Sequence, residues 1–219
     1  MADDLREWLA NAKGLAATAR VTRLEDAGLV APATERWGLD ALRGRLVELS
    51  ARGATATLTT SIELVLEAQQ AAEPVAWVTL GNATFYPPDL ADSGVDLAAL
   101  VVIRVIDTTA AARAAERLLR SGAFGLVILD FGAGGEVEVP IAHLGRLVTL
   151  AQTHDAAVVC ITEKSSDTAS LGSLVSLRAE ALRLRDPDHG YDVTLRILKD
   201  KRRGPGWSRT IKLRGPAGF

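Results

Sequence analysis

Residues 44–80 read GRLVELSARGATATLTTSIELVLEAQQAAEPVAWVTL. The apolar run LVEL (46–49) is typical of a strand, and SIELVLEAQQAA (61–72) has apolar residues at helical spacing. A second apolar run, VAWVTL (75–80), follows after a short polar connection. This order predicts a β-α-β unit, in which a helix joins two parallel strands.

The same alternation continues to residue 161. Further strands are predicted at 100–105, 126–130 and 156–161, with helices at 109–122 and 141–154. Because the strands are short, unbroken apolar runs, we expect a parallel sheet that helices cover on both faces. The sequence therefore predicts an α/β fold with a mostly parallel central sheet.

After residue 175, apolar residues alternate with charged ones. The segments that follow this pattern are RAEALRLRD (178–186), DVTLRILKD (192–200) and SRTIKL (208–213). Such alternation is typical of half-exposed antiparallel strands. The residues GPGW (204–207) predict a hairpin turn between the last two segments. We therefore expect antiparallel strands at the C-terminal edge of the sheet.

The first residues of the chain predict an amphipathic helix. Apolar side chains in residues 3–20, with Leu5, Trp8 and Leu9 among them, recur at steps of three and four. Glycines and a proline in residues 27–45 indicate a connector. The expected organisation is an N-terminal helix and connector (1–40), a core (41–190), and a basic antiparallel hairpin and tail within the same domain (191–219).

Charge is distributed unevenly along the chain. The net charge is -2, yet residues 196–214 hold eight basic side chains against the single acid Asp200. A basic end on an acidic globule is typical of a surface for DNA or for an acidic protein partner. The candidate binding residues in this segment are Lys199, Lys201, Arg202, Arg203, Trp207, Arg209, Lys212 and Arg214.

Cysteine content and hydropathy indicate where the protein is found. Cys160 is the only cysteine, so an intrachain disulfide is impossible, as is usual in a reducing compartment. No run of about 18 uninterrupted apolar residues occurs, and the first residues, MADDLREWLA, lack an export-signal pattern. We therefore expect a cytoplasmic protein that has no membrane partner.

The ordered set of segments resembles RecA. GRLVEL (44–49) resembles the strand that enters the RecA phosphate loop, and RSGAFGLVILD (120–130) resembles the segment that supplies the Walker B aspartate, here Asp130. DLADSGVDLAALVVIRV (89–105) and LRILKDK (195–201) are similar to RecA segments in the corresponding order. The resemblance covers roughly residues 40–203 and implies a RecA-like three-layer core.

The phosphate loop departs from the RecA pattern. A phosphate loop needs G-x-x-x-x-G-K-[ST], with glycines that expose backbone amides, a lysine for the phosphates and a hydroxyl for Mg²⁺. Here Ala56, Thr57 and Leu58 stand at the second glycine, the lysine and the hydroxyl, and no lysine occurs between Lys13 and Lys164. The degenerate loop comprises Ala51, Arg52, Gly53, Ala56, Thr57 and Leu58.

Two further RecA positions are altered. Gly81 stands near the general-base glutamate, and Glu163 stands near the glutamine that senses the γ-phosphate. The resemblance therefore implies a noncatalytic protein without cofactor or metal. Two interpretations of Asp130 stay open, a vestigial ligand-site carboxylate and a cap for nearby amides. Whether the polar loop 163–174 contacts DNA also stays open.

A short RecA-like chain with a degenerate phosphate loop and a basic end is similar to the ImuA proteins. This resemblance implies a role in the DNA-damage response and translesion synthesis, with RecA, a Y-family-like mutagenesis protein and an error-prone polymerase as partners. Two alternatives stay open. One is a SulA-like cell-division inhibitor, and the other is a weak nucleotide-binding enzyme that uses Arg52, Gly53 and Asp130.

The resemblance also assigns interface residues. Lys199 and Lys201 match the paired lysines that reach a neighbouring subunit's ATP in the RecA filament, although lysines on a solvated strand edge would look the same. The N-terminal helix matches one that packs on the adjacent RecA protomer, or it folds back on its own core. Candidate RecA contacts are therefore Leu5, Trp8, Leu9, Lys199 and Lys201.

Overall fold

The computed structural model describes residues 37–81, 83, 85–132, 137–186 and 190–213. The predicted helix at 3–20, with Leu5, Trp8 and Leu9, lies outside the described residues, as does Arg214. No helix among the described residues is long and apolar enough to cross a membrane.

In the described part of the chain, eight strands form one sheet in the order β3-β2-β4-β5-β1-β6-β7-β8. The strands are β1 Arg45–Ala51, β2 Val75–Leu80, β3 Leu100–Val105, β4 Leu126–Asp130, β5 Ala157–Glu163, β6 Leu177–Asp186, β7 Gly190–Asp200 and β8 Ser208–Leu213. The helices are α1 Leu39–Leu42, α2 Thr57–Gln70, α3 Pro87–Asp92, α4 Thr108–Arg120 and α5 Ile141–Thr153, and a 3₁₀ turn covers Leu97–Ala99.

Strand directions confirm the predicted fold class. Strands β1 to β6 are parallel to their neighbours, whereas β7 is antiparallel to β6 and β8 is antiparallel to β7. The result is a mostly parallel sheet, flanked by helices, with antiparallel strands at its C-terminal edge, as expected of a RecA-like three-layer core. The strands predicted at 75–80, 100–105, 126–130 and 208–213 have the predicted bounds.

Buried alanine and leucine side chains hold the outer helices on the sheet. Ala111, Ala112, Ala115 and Leu119 of α4 pack in one apolar cluster with residues of α5 and of the central strands. Small alanines let a helix approach a sheet closely. Successive strand residues point to opposite faces of the sheet, so the other face is available to pack against α2. The central strands β1, β2, β4 and β5 are buried almost throughout.

Three features differ from the expectations drawn from the sequence. Strand β3 is an edge strand whose Val101 and Val102 are 43% and 38% exposed, so the prediction that helices cover every strand on both faces is wrong there. Helix α2 begins at Thr57 rather than at residue 61. The predicted connector also ends in the one-turn helix α1, whose Leu39 and Leu42 are buried.

Strand β6 also differs from the half-exposed antiparallel strand that the sequence predicts, because two of its charged side chains are buried. Along its first half β6 is parallel to β1, and Arg178 and Glu180 are only 4% and 5% exposed. Arg178 donates to Ser50 Oγ at 3.1 Å and to the Ser165 carbonyl at 2.7 Å. These acceptors offset the cost of burying a guanidinium, and a charge alternation in sequence does not reveal them.

Candidate functional site

The loop between β1 and α2 occupies the position of a phosphate loop, but its amides bond to the protein. The Thr55 amide donates to the Gly53 carbonyl at 2.8 Å, and the Ala56 amide donates to the Ala181 carbonyl of β6 at 2.9 Å. The Thr57 amide donates to Thr55 Oγ1 at 3.2 Å. A phosphate loop works because consecutive free amides converge on an anion. Here three consecutive amides already have acceptors.

The loop also lies against β6 through further backbone contacts. The Arg183 amide donates to the Ala54 carbonyl at 2.8 Å, and Thr55 forms an isolated antiparallel bridge with Leu182. Thr57, at the position of the lysine, is 5% exposed, and its hydroxyl lies 3.0 Å from Thr55 Oγ1. Thr57, at the lysine position, and the neighbouring Thr55 therefore close the loop on itself.

Asp130 ends β4 beside this loop and is bound by neutral donors. Its Oδ1 accepts from the Gly132 amide at 3.0 Å, and its Oδ2 accepts from Trp77 Nε1 and Thr79 Oγ1, both at 3.3 Å. Burial raises the pKa of Asp130, and these three hydrogen bonds oppose the rise. The capping interpretation of Asp130 is confirmed by the bond from Gly132. Trp77 is fully buried, as expected of a core residue.

The described residues around Asp130 do not fit a magnesium nucleotide. The depression that they line has a volume of about 70 Å³, whereas sites for small molecules usually measure roughly 300–1,000 Å³. Leu58 supplies no hydroxyl, and no cluster of three metal-binding side chains occurs in the described part of the chain. Asp130 therefore remains without the cation-binding partners of a Walker B aspartate.

The basic turn after β7 lies at the opposite end of the sheet from Asp130. Strand β7 is antiparallel to β6, so its last residue, Asp200, pairs with Leu177 at the start of β6. The next amide, that of Lys201, donates to the carbonyl of Ser176, whose own amide bonds to Leu46. At about 3.3 Å per residue, Lys201 lies roughly 15–20 Å along β1 from the loop between β1 and α2. The basic turn and this loop are therefore separate surfaces.

Lys199 and Lys201 both contact the segment 164–176. Lys199 Nζ lies 3.3 Å from Ser170 Oγ, and burial, followed by the nearby charge of Lys201, lowers the pKa of Lys199. Lys201 is exposed and donates to the Ser173 carbonyl at 2.5 Å. Of the two lysines, Lys201 is therefore the more accessible to solvent.

Asp200 holds the basic turn in place. Its Oδ1 accepts from Arg45 at 2.6 Å and from the amide of Arg202 at 2.9 Å. The Arg202 guanidinium in turn donates to the carbonyls of Arg43 and Gly44, both at 3.3 Å. The single acid of the basic segment is thus a buried anchor, which leaves the exposed side chains of Lys201, Arg202 and Arg203 on the surface.

The remaining predicted binding residues have different environments. Trp207, one of the predicted binding residues, is only 6% exposed, so its ring is not available to stack on DNA bases. Its flanking glycines had suggested an exposed turn. Arg209 is half-buried, close enough to Glu63 to oppose the rise that burial causes in the pKa of Glu63. Strand β8 includes Lys212, whose side chain lies outside the described residues.

Glu48 is a buried charge that the sequence reasoning missed. Lys164 Nζ lies 2.6 Å from Glu48 Oε1, which also accepts from Thr162 Oγ1 at 3.0 Å. Glu48 Oε2 accepts from the Leu171 amide at 2.8 Å. The available signal was a glutamate inside the apolar run LVEL (46–49). Because Glu48 neutralises Lys164, the segment 164–176 presents little positive charge to DNA.

Most of the large exposed apolar side chains in the described part of the chain lie in or next to strand β3. Val101 and Val102 are exposed on β3, with Leu97 (40%) just before the strand and Ile106 (92%) just after it. Tyr86, which follows the neighbouring strand β2, is 59% exposed. An open strand edge with apolar side chains is a template for pairing with another polypeptide.

The chain matches no protein-family model and no curated protein sequence.

Proposed function

We propose that this protein is a noncatalytic, RecA-like adaptor of the DNA-damage response and translesion synthesis. Its partners would be RecA, a Y-family-like mutagenesis protein and an error-prone polymerase. The proposal combines the RecA-like order of segments with the chemistry of the described surfaces. The observation that carries it is the phosphate loop, whose Thr55, Ala56 and Thr57 amides are all bonded within the protein.

The separation of the two RecA-related surfaces supports binding to another subunit. Lys201 projects from the end of the sheet opposite to Asp130 and cannot serve the chain's own loop. In the RecA arrangement, lysines at this position act on the nucleotide of a neighbour. Lys201 would contact a RecA-bound nucleotide, while this chain contributes no nucleotide of its own.

The exposed edge of β3 supports a second contact with a partner protein, in addition to Lys201. Val101 and Val102 present apolar side chains beside unpaired strand backbone, which suits a segment of another protein. A chain that docks on a RecA filament but lacks a working phosphate loop would stop the filament from growing past it. The expected consequence is shorter RecA filaments.

The test is the length of RecA filaments formed on single-stranded DNA with and without stoichiometric protein. We expect shorter filaments with the wild-type protein and little effect with the Lys199→Ala/Lys201→Ala variant. The matched control, Arg52→Ala/Arg185→Ala, removes two exposed charges elsewhere and should act like the wild type. Unchanged filaments with the wild-type protein would refute the proposal. Capture of a tubulin-like division protein instead of RecA would favour the SulA-like alternative.

A further inference from the structure

The outer surface of α4 and α5 is a basic face that the C-terminal segment does not include. The three exposed residues of α4 are all arginines, namely Arg113, Arg117 and Arg120. Helix α5 adds Arg146, whose side chain is 57% exposed. Together the two helices hold four arginines and a single acid, Glu116, and so carry +3 in a chain whose net charge is -2.

Glu116 does not neutralise this face. Its carboxylate lies 2.5 Å from His143 Nδ1 and 3.7 Å from Arg146, in the seam between the two helices, and only 11% of the side chain is exposed. Arg113, Arg117 and Arg120 make no hydrogen bond or ion pair within the described part of the chain. Their guanidinium groups are therefore available to an external anion.

The spacing of the arginines suits a series of phosphates. With a rise of about 1.5 Å per residue, Arg113, Arg117 and Arg120 span roughly 10 Å along one side of α4. Phosphates on one DNA strand rise by about 3.4 Å per nucleotide, so this distance covers about three of them. Guanidinium groups bind phosphate oxygens through two parallel hydrogen bonds, which a compact ammonium group cannot do.

The neighbouring exposed residues favour nucleic acid over a protein partner. Beyond its first turn, the exposed positions of α5 are Arg146, Thr149, Gln152 and Thr153, all polar. Protein interfaces have an apolar centre depleted of charge, whereas nucleic-acid interfaces are polar and strongly positive. The exposed apolar side chains gather mainly at the β3 edge instead.

We infer that the α4–α5 face, formed by Arg113, Arg117, Arg120 and Arg146, binds the phosphate backbone of nucleic acid. The contact is with phosphates and carries no sequence specificity. It is independent of RecA binding, and it assigns the DNA-binding role to these helices rather than to the basic turn near Lys201. The protein would then hold DNA on one surface and a protein partner on another.

The test is fluorescence anisotropy with duplex and single-stranded DNA of equal length at several salt concentrations. We expect Arg113→Ala/Arg117→Ala/Arg120→Ala to weaken binding at least about tenfold near 100 mM salt. The slope of log affinity against log salt should fall by about 2–3, since each phosphate contact contributes roughly 0.7–0.9. The two DNA forms show which one the face prefers.

Two controls make the result specific. The variant Arg52→Ala/Arg183→Ala/Arg185→Ala removes the same charge from exposed positions elsewhere and should keep the wild-type slope. The variant Arg113→Lys/Arg117→Lys/Arg120→Lys should retain most of the salt dependence of binding, since it keeps the positive charge. Circular dichroism melts should show that all variants fold.

Three outcomes would overturn the inference. They are an absence of salt-dependent DNA binding by the wild type, an equal loss in the Arg52/Arg183/Arg185 control, and tighter binding of polyglutamate than of DNA. RecA binding by the α4 variant should be unchanged, so a failure here is distinguishable from a failure of the proposed function.

Discussion

Single buried charges decide the local structure of this protein. Arg45 and Asp200 form an ion pair at 2.6 Å with side chains that are 1% and 0% exposed. Burial lowers the pKa of Arg45, while Asp200 opposes that change. Such a pair is costly to assemble and still more costly to break, because the partner left behind has no counter-charge.

Replacement of Asp200 by asparagine should therefore strongly destabilise the fold. We expect a loss of about 3–5 kcal/mol in the free energy of unfolding, because Arg45 would remain buried without its anion. Asp40→Asn is the matched control, since the Asp40 side chain is 92% exposed in its ion pair with Arg43 and should cost about 0–1 kcal/mol. Urea unfolding measures both values. Similar losses in the two variants would contradict the prediction.

Asp130 should make stability depend on pH. Burial raises the pKa of Asp130 above its ordinary value of 3.8, so the folded protein holds this proton more tightly than the unfolded chain does. Stability contributed by the protonated form is present at low pH and is lost as pH rises from about 3.8 through the raised pKa.

Urea unfolding at several pH values from 4 to 7 gives the free energy of unfolding of the wild type and of Asp130→Asn. Whatever constant offset the asparagine introduces, the wild type should lose stability relative to the variant as pH rises in the acidic part of this range. A difference that does not change with pH would contradict the raised pKa.

At the scale of elements, the segment 164–176 is held mainly by side-chain bonds, and strand-like backbone pairing begins only at Ser176. Glu48 binds Lys164 and the Leu171 amide, while Arg178 binds the carbonyls of Ser165 and Thr168. A connection between β5 and β6 that lacks regular backbone pairing depends on such bonds. Glu48 is thus a structural residue of this segment.

Replacement of Glu48 by alanine should release this segment. The Leu171 amide would lose its acceptor, and Lys164 would lose its counter-charge. We expect hydrogen exchange of the Leu171 amide to accelerate at least about tenfold, while amides in the middle of β4 change less. Ser165→Ala, which leaves the Glu48 contacts intact, serves as the control. Equal acceleration throughout the sheet would instead indicate global destabilisation and contradict a local role.

At the scale of the whole molecule, the two ends of the sheet have different chemistry. The carboxyl end has a closed loop and the buried Asp130, whose pKa burial raises, and the amino end has the exposed Lys201 turn. Topology enforces this separation, since β7 returns antiparallel to β6. The rival reading of a weak nucleotide-binding enzyme requires the closed end to open.

Thermal unfolding with and without Mg²⁺–ATP decides whether the loop between β1 and α2 stays closed or opens to bind a nucleotide. A nucleotide at about a hundred times its Kd would stabilise the protein by about 2.7 kcal/mol and raise Tm by roughly 5–10 °C. We expect no rise, because the loop amides have acceptors and the depression is small. A Mg²⁺-dependent rise in the wild type that disappears in Asp130→Ala would favour the enzyme.

The sequence by itself determined the alternation of strands and helices, the antiparallel C-terminal edge and the absence of a lysine from the loop after β1. These features are local: the spacing of apolar residues and the absence of a lysine can be read from neighbouring positions, without knowing which distant residues they contact. The cap on Asp130, one of the two interpretations that the sequence left open, is also local, because Gly132 lies only two residues away.

Only the tertiary structure decided which charges are buried and which surfaces are free. Arg45 meets Asp200, and Glu48 meets Lys164, across separations of more than a hundred residues. The same reason explains Trp207, which is buried by the fold although its turn looks exposed. It also applies to the arginines of α4: their spacing puts them on one side of any helix, but their exposure depends on how the helix packs. Burial depends on residues that are distant in sequence, so no local pattern contains it.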